Sequence, residues 1–177
     1  MNNKLLSLTL LKWIIWLSIV LIATFTVWIW ADPAMLTHIG AEQKVLEEYG
    51  GIEGFVLWQR IAGFIADALP AGLLIAALAF LLRLIWQLEA GNWFDEASER
   101  SLEHVGHFML WYLLASFFND TFLVLIATAT NPPGERALAI SLSSDTILGL
   151  VPALMALVIA RMIRLAREQR DELNQII

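Results

Sequence analysis

Four long apolar stretches, separated by polar connections, dominate the chain. They cover about residues 10–30, 66–86, 108–128 and 143–163. A helix needs about 20 mainly apolar residues to cross a bilayer, so each stretch predicts one membrane-spanning helix. Trp13 and Trp16 near one end of the first stretch, and Trp28 and Trp30 near the other, indicate the two membrane interfaces, because indole rings favour the headgroup zone. The pattern predicts an all-α fold, an integral membrane four-helix bundle.

The connection between the first two spans, residues 31–64, is long, acidic and partly amphipathic, and we expect it on the outer side of the membrane. One helical face of its last part collects large apolar residues, namely Val56, Leu57, Ile61, Phe64 and Ile65. Two interpretations of residues 55–68 remain open. They form either an amphipathic helix lying in the interface or the beginning of a longer second helix that bends at Pro70.

Polar residues also predict where the third helix begins and how far the fourth continues. Gly91 and Asn92 break the second helix, and Asp95 is the predicted N-cap of the third. The fourth helix has no Gly or Pro after its apolar stretch, so residues 164–177 are predicted to be a helical tail. Both helices are therefore expected to extend into the cytoplasm, the third at its start and the fourth at its end.

The distribution of basic residues predicts the orientation. With the amino terminus inside, the outer side carries three of the eleven Lys and Arg residues, Lys44, Arg60 and Arg136. The cytoplasmic side carries the other eight: Lys4, Lys12, Arg83, Arg100, Arg161, Arg164, Arg167 and Arg170. Since cytoplasmic segments are enriched in Lys and Arg, both termini are expected in the cytoplasm.

Composition agrees with a membrane protein and narrows the chemistry. Of the 177 residues, 59% are hydrophobic and 16% are charged, against about 25% charged in a typical soluble domain. The chain has no cysteine, which excludes disulfides, thiolate metal sites and cysteine nucleophiles.

Asn119 and Asp120, in the third span, form the most informative polar pair. A carboxylate at bilayer depth is unfavourable by about 2.5–3.5 kcal/mol on insertion scales, so Asp120 should face the bundle interior, be paired, or be protonated. One interpretation is a proton, ion or ligand site opening outward, which also includes Thr121, Asp67 and Asp145. The other is a polar contact between helices without further function.

Two clusters lie near the predicted cytoplasmic side. His104 and His107 are spaced to place both imidazoles on one helical face, as a metal or haem site needs, but they are also compatible with polar surface residues. No HExxH-type pattern accompanies them. Arginines recur at every third position of the fourth helix, at Arg161, Arg164, Arg167 and Arg170. They form either a lipid anchor or a contact surface for a partner.

The run LLRLIWQLEAGNWFDEASERSLEHVG, residues 81–106, resembles the central signature of the DUF2975 family of small bacterial four-span membrane proteins. The matching positions are Leu84, Gly91, Phe94, Leu102 and Gly106, and the arginine-rich fourth helix ending in RDELN also fits. The resemblance implies a four-span topology in a bacterial inner membrane. Because the function of that family is unknown, the resemblance implies no activity.

Three functions are compatible with these residues. The first, which we favour, is a non-catalytic interaction or regulatory protein in the lipid bilayer. Its partner would be a second copy or another cytoplasmic or membrane protein, with no direct contact to nucleic acid. The second is a binder or transporter of a small molecule, ion or proton that uses the intramembrane acid. The third is a metal- or haem-binding protein. The sequence shows no nucleophile–base pair, metal triad or phosphate loop, so we do not expect an enzyme, and no cofactor follows from it.

Overall fold

Four long helices make up the described part of the chain. The computed structural model describes residues 2–32, 54–91, 95–132, 134, 136–138, 140 and 144–176, with the backbone alone for residues 2–7, 144–146, 170, 171 and 173–176. The helices are α1 (Asn2–Ala31), α2 (Leu57–Glu89), α3 (Glu96–Thr128) and α4 (Ser144–Ile176). All four are long and apolar enough to cross a membrane. The predicted all-α fold is confirmed, since the described residues contain no strand.

Each helix packs antiparallel to the next one along the chain. The extensive contacts between the described helices join α1 to α2, α2 to α3, and α3 to α4. Lys12 near the start of α1 lies 2.5 Å from Glu89 at the end of α2, whereas Trp30 at the end of α1 reaches Asp67 in the first part of α2. We call the end where α1 begins and α4 finishes the terminal end, and the opposite end the distal end.

Three apolar clusters hold this arrangement together. At the distal end, Trp30, Phe55 and Leu123 pack where α1, α2 and α3 meet. At the terminal end, Ile15 of α1 packs against Leu82 and Ile85 of α2. A third cluster joins α2, α3 and α4 around Leu84, Leu102, Val105, Ala156 and Ala160. The helices α2 and α3 are therefore central, and α1 and α4 flank them.

Most apolar side chains point away from the protein. In the most apolar 18-residue stretch of each helix, 11% of the residues are buried in α1, 28% in α2, 22% in α3 and 17% in α4. Large side chains such as Leu17, Leu69 and Phe122 are more than half exposed. So much exposed apolar surface is incompatible with water and suits a lipid environment. The chain has the surface of a membrane protein.

The second helix includes the amphipathic segment whose structure the sequence left open. α2 begins at Leu57 and continues through Pro70 to Glu89, so residues 57–68 are the beginning of a long second helix. Its early polar residue Gln59 is 2% exposed. The Oε1 of Gln59 accepts from the Val56 N–H at 3.0 Å, and its Nε2 donates to the Ile126 carbonyl at 2.7 Å. Residues 33–53 of the predicted outer loop lie outside the described residues.

The α2–α3 connection is short and turns at a glycine. Gly91 has a φ of +84°, a left-handed conformation that favours glycine at the end of a helix. Asp95 occupies the N-cap position of α3, where its carbonyl accepts from the Ser98 and Glu99 N–H groups at 3.0 and 3.1 Å. Its side chain makes no capping hydrogen bond. Residues 92–94 lie outside the described residues, and after this short connection α3 packs back along α2.

Candidate functional site

Asp67 links three helices in the distal half of the bundle. Trp30 of α1 donates from Nε1 to Asp67 Oδ2 at 2.8 Å, and Asn119 of α3 donates from Nδ2 to Asp67 Oδ1 at 2.6 Å. A carboxyl group away from water is tolerated when N–H donors satisfy its oxygens. Both oxygens of Asp67 are satisfied in this way by side chains from neighbouring helices.

Packing at Gly63 fixes the indole that reaches Asp67. Trp30 is 7% exposed, and its ring centroid lies 6.3 Å from that of Phe55. A Cβ atom at Gly63 would lie 1.9 Å from Cη2 of Trp30. A glycine at this position therefore lets the ring approach α2 closely enough for Nε1 to reach the carboxyl group one helical turn further on.

The register between α2 and α3 brings Asp67 and Asn119 to one level. Asp67 lies at the edge of its apolar stretch in the sequence, whereas Asn119 lies in the middle of its own. They meet because α2 begins at Leu57 and Gln59 holds the carbonyl of Ile126 near the end of α3. Because α2 begins before its apolar stretch, Asp67 lies at the level of Asn119 in the middle of the apolar stretch of α3.

An apolar groove lies between α2 and α3 beside this contact. It has a volume of about 890 Å³, and its lining includes Leu69, Leu73, Leu114, Phe118 and Asn119. Asn119 is 9% exposed, and its Oδ1 has no hydrogen-bond partner among the described residues. Ligand sites in proteins are typically apolar cavities of about 300–1,000 Å³ with a few placed polar groups. The groove has this composition, with the amide of Asn119 in its wall.

The structure assembles part of the polar set predicted from the sequence. It joins Asp67 to Asn119 and adds Trp30, which the sequence pattern assigned to the membrane interface. Asp120 and Thr121 are the next two residues of α3 and are half-buried. The side chain of Asp145 lies outside the described residues. Within this set, Asn119 donates a hydrogen bond to Asp67.

A second polar cluster joins α3 to α4 at the terminal end. Glu99 is 3% exposed and lies between two arginines of α4. Its Oε1 accepts a hydrogen bond from Nε of Arg164, and Nη1 of Arg167 lies 3.0 Å from its Oε2. Nη2 of Arg164 also lies 3.4 Å from Oε2 of Glu103. We call residues 96–107 of α3 and 164–176 of α4 the stem.

The arginines predicted as lipid or partner contacts have different surroundings. Arg164 and Arg167 bind Glu99 within the protein. Arg161 is exposed, and the side chain of Arg170 lies outside the described residues. Two of the four guanidinium groups therefore contribute to holding the stem together.

His104 and His107 are exposed on the stem. Their Nδ1 atoms lie 2.5 and 2.8 Å from the carbonyl oxygens of Arg100 and Glu103, one helical turn earlier. The His104 ring stacks on Phe80 at a centroid distance of 4.6 Å. Among the described residues, no group of three or more His, Asp or Glu side chains is arranged to hold a metal ion. Metal or haem ligation by this pair stays a prediction.

Comparison with known proteins identifies the family. A family model described as "Protein of unknown function (DUF2975)" matches residues 56–177. The chain belongs to this family. No curated protein and no solved structure matches it. The matched region of this DUF2975 protein contains Asp67, Asn119 and the stem, whereas Trp30 lies before it.

The sequence of this DUF2975 protein did not predict the ion pairs of Glu99 or the hydrogen bond from Trp30 to Asp67. Glu99 is an acid in the first turn of a helix, and the helix dipole explains an acid there as well as an ion pair does. Glu99, Glu103 and Gly106 are spaced so that all three lie on one face of α3. The next helix is rich in arginine, and this combination was the signal that could have revealed the ion pairs of Glu99. For Trp30, no signal distinguishes an interfacial indole from one that hydrogen-bonds an acid of the neighbouring helix.

Proposed function

We propose that this DUF2975 protein is a non-catalytic membrane interaction protein with a regulatory role, and that the stem is its contact surface. We infer that the terminal end faces the cytoplasm of a bacterial cell, with the helices in the inner membrane. Eight of the eleven basic residues belong to this end, and such enrichment is typical of cytoplasmic segments. The partner is a second copy or another protein that meets the stem.

The burial of Glu99 carries this proposal. Exposed ion pairs contribute little to stability, but Glu99 is nearly inaccessible and its partners come from another helix. Removing one partner of a buried pair leaves an uncompensated charge, so the pair strongly favours a single arrangement of α3 against α4. The exposed stem residues Arg100 and Glu168 then keep constant positions, and a preorganised surface of this kind loses little entropy on binding.

Site-specific photo-crosslinking in native membranes tests the stem. A photoreactive amino acid replaces the exposed Glu168, with Leu125 of the distal lipid-facing surface as the matched control position. We expect a discrete protein adduct from position 168 that weakens in the Glu99→Gln background. An adduct of twice the chain's mass identifies a second copy. The proposal is contradicted if positions 168 and 125 give the same adducts, or if the adduct from position 168 is equally strong with and without Glu99→Gln.

The orientation has a separate test, for which the absence of native cysteine is an advantage. Single cysteines replace Gln169 in the stem or Thr130 at the distal end, both of which are exposed. A membrane-impermeant maleimide added to intact cells should label Thr130→Cys and spare Gln169→Cys until the membrane is opened. The opposite pattern shows that the stem faces outward.

The groove between α2 and α3 supports a second candidate function, the binding of a small apolar molecule. The observation in its favour is that Asn119, whose buried Oδ1 has no hydrogen-bond partner among the described residues, belongs to the lining of an otherwise apolar groove. An unsatisfied buried acceptor is unfavourable by about 1–3 kcal/mol. A ligand with a hydroxyl or N–H group beside an apolar chain would satisfy it.

Photolabelling with a diazirine-bearing octanol tests this candidate. We expect the label on peptides that contain Leu114 and Phe118. Ala115→Trp fills the groove and should abolish this labelling, whereas Ala166→Trp, on the exposed side of the stem, should leave it unchanged. Labelling that persists in Ala115→Trp contradicts binding in the groove and leaves the proposal for the stem untouched.

A further inference from the structure

A second cavity lies at the terminal end, between the last turns of α2 and the first turns of α3. It has a volume of about 440 Å³ and is lined by Phe80, Arg83, Glu96, Ala97, Arg100, Ser101 and His104. Most of these side chains are polar, in contrast to the distal groove. The lining does not include Glu99, Glu103 or the arginines of α4, so this cavity is separate from the ion pairs that hold the stem.

The cavity has an excess of positive charge. Arg100 forms an ion pair with Glu96, four residues earlier on α3. Arg83 comes from the opposite wall, is exposed, and has no ion-pair or hydrogen-bond partner among the described residues. With one carboxylate against two guanidinium groups, one positive charge remains without a counter-ion. A guanidinium presents a planar fork of donors that matches phosphate oxygens.

Exposed tryptophans at the same end of the bundle indicate that the cavity lies at the level of the lipid headgroups. Trp86 lies one helical turn beyond Arg83 and is 52% exposed. Trp13 and Trp16 of α1 are 73% and 48% exposed, and the Lys12–Glu89 ion pair brings that part of α1 beside the end of α2. Exposed indole rings on membrane helices collect at the interface between headgroups and acyl chains. Below the cavity, Phe80 and Phe108 stack at 5.4 Å and provide an apolar floor.

We propose that this cavity binds the phosphate group of an anionic membrane phospholipid, with Arg83 as its principal contact. A phosphodiester carries a single negative charge, which equals the excess charge of the cavity. The acyl chains of such a lipid would continue along the apolar surface that α2 and α3 present below Phe80. His104 also lines the cavity, with its ring stacked on Phe80 and its Nδ1 at 2.5 Å from the carbonyl oxygen of Arg100.

Native mass spectrometry of the full-length protein tests this proposal. The protein is released from detergent after equilibration with equal amounts of phosphatidylglycerol and phosphatidylcholine of the same acyl chains. We expect one retained phosphatidylglycerol, with a preference that falls about fivefold in Arg83→Gln, the factor that corresponds to about 1 kcal/mol per basic residue near an anionic surface. Arg83→Lys, which keeps the charge, should retain most of the preference.

Arg161→Gln is the matched control, since Arg161 is an exposed arginine at the same end but outside the cavity. It removes the same charge and should leave the retained lipid in place. An equal loss in Arg83→Gln and Arg161→Gln would show a general attraction to basic protein and overturn the proposal. An excess of inorganic phosphate should fail to displace the lipid, and complete displacement would show a site for soluble phosphate instead. Unchanged thermal unfolding of Arg83→Gln ensures that a lost preference is a loss of binding.

Discussion

The close contact between Gly63 and Trp30 gives the sharpest test of the distal site. In Gly63→Ala, the new Cβ would lie 1.9, 2.4 and 2.6 Å from Cη2, Cζ3 and Cζ2 of a rigid ring. The ring cannot yield freely, because Trp30 is confined by Phe55 and Leu123. Overpacking of this kind is unfavourable by about 1–3 kcal/mol. If the indole rotates away, the hydrogen bond to Asp67 is lost as well, which contributes about 1.5–3 kcal/mol.

Gly72→Ala is the matched control in the same helix. A Cβ there meets no atom within 4 Å, and replacing glycine by alanine inside a helix is favourable by up to about 1 kcal/mol. We therefore expect the free energy of unfolding of Gly63→Ala to be lower than that of Gly72→Ala by about 3 kcal/mol. This difference combines the cost of overpacking with part of the contribution of the lost hydrogen bond. The assay is unfolding by sodium dodecyl sulfate in mixed micelles, followed by circular dichroism. Equal free energies of unfolding for the two variants would refute the reasoning.

A second substitution distinguishes this clash from a general intolerance of Gly63→Ala. Phenylalanine lacks the three ring atoms that the new Cβ would meet. Trp30→Phe should destabilise the native protein, since it leaves a gap and removes the donor to Asp67. In the Gly63→Ala background the same substitution should be stabilising. If Trp30→Phe lowers the free energy of unfolding equally in both backgrounds, the two residues are not coupled through this contact.

Three further predictions concern the other polar contacts. Replacing Arg164 and Arg167 by Met leaves Glu99 buried without partners and should lower the free energy of unfolding by about 3–5 kcal/mol. Adding Glu99→Leu should recover most of this loss. A triple variant that is no more stable than the double variant would contradict this prediction. Asp67→Leu deprives the Trp30 and Asn119 N–H groups of their acceptor and should lower the free energy of unfolding by about 1–3 kcal/mol. In a double-mutant cycle, adding Asn119→Leu should lower the free energy of unfolding little further. Fully additive effects would show that the two side chains act independently. If His104 and His107 hold a metal or a haem, the purified protein should contain it and the double variant His104→Ala/His107→Ala should lose it, because both imidazoles are removed; an unchanged metal content and haem absorbance in the variant would contradict ligation by this pair.

The helices and their order followed from hydropathy, but the start of α2 did not. The apolar stretch begins near residue 66, whereas the helix begins at Leu57. Gln59 lies before that stretch and Asp67 at its edge, so a hydropathy count places the start of the helix too late. Both are compensated by partners that are distant in sequence, the carbonyl of Ile126 for Gln59 and the donors of Trp30 and Asn119 for Asp67. Such compensation depends on the register between helices, which hydropathy does not contain.

The candidate site was predicted as a set of residue types rather than as an arrangement. Asn119 and Asp67 belonged to the predicted set because amides and acids are rare in apolar stretches. Their mutual contact required the tight turn at Gly91 and the early start of α2. An acid such as Glu99 in the first turn of a helix is expected from the helix dipole alone, and nothing local in the sequence distinguishes a solvated acid from one buried against the next helix. Its partners lie 65 and 68 positions further along the chain.

The packing of α4 shows why apolar patterning locates membrane helices but does not orient them. The buried residues of this helix, within its described side chains, are Ala153, Ala156 and Ala160, while larger residues such as Met155, Val158 and Met162 are more than half exposed. A pattern analysis that places the largest apolar residues inside would turn α4 the wrong way. Lipid solvates leucine and methionine as well as a protein core does, so small residues that permit close approach define the interface instead.

Close approach alone would leave α4 held by weak contacts. Opposite its alanines, Gly106 of α3 is so near that an added Cβ would lie 2.6 Å from the Leu157 side chain and 3.2 Å from the Ala153 carbonyl. Alanines provide little contact area each, and α4 packs extensively against α3 alone among the described helices. The Glu99 ion pairs therefore supply, at the end of the helix, the specificity that the alanine stripe lacks. The acid that fixes α3 against α4 in the stem therefore also determines which face of α4 meets α3.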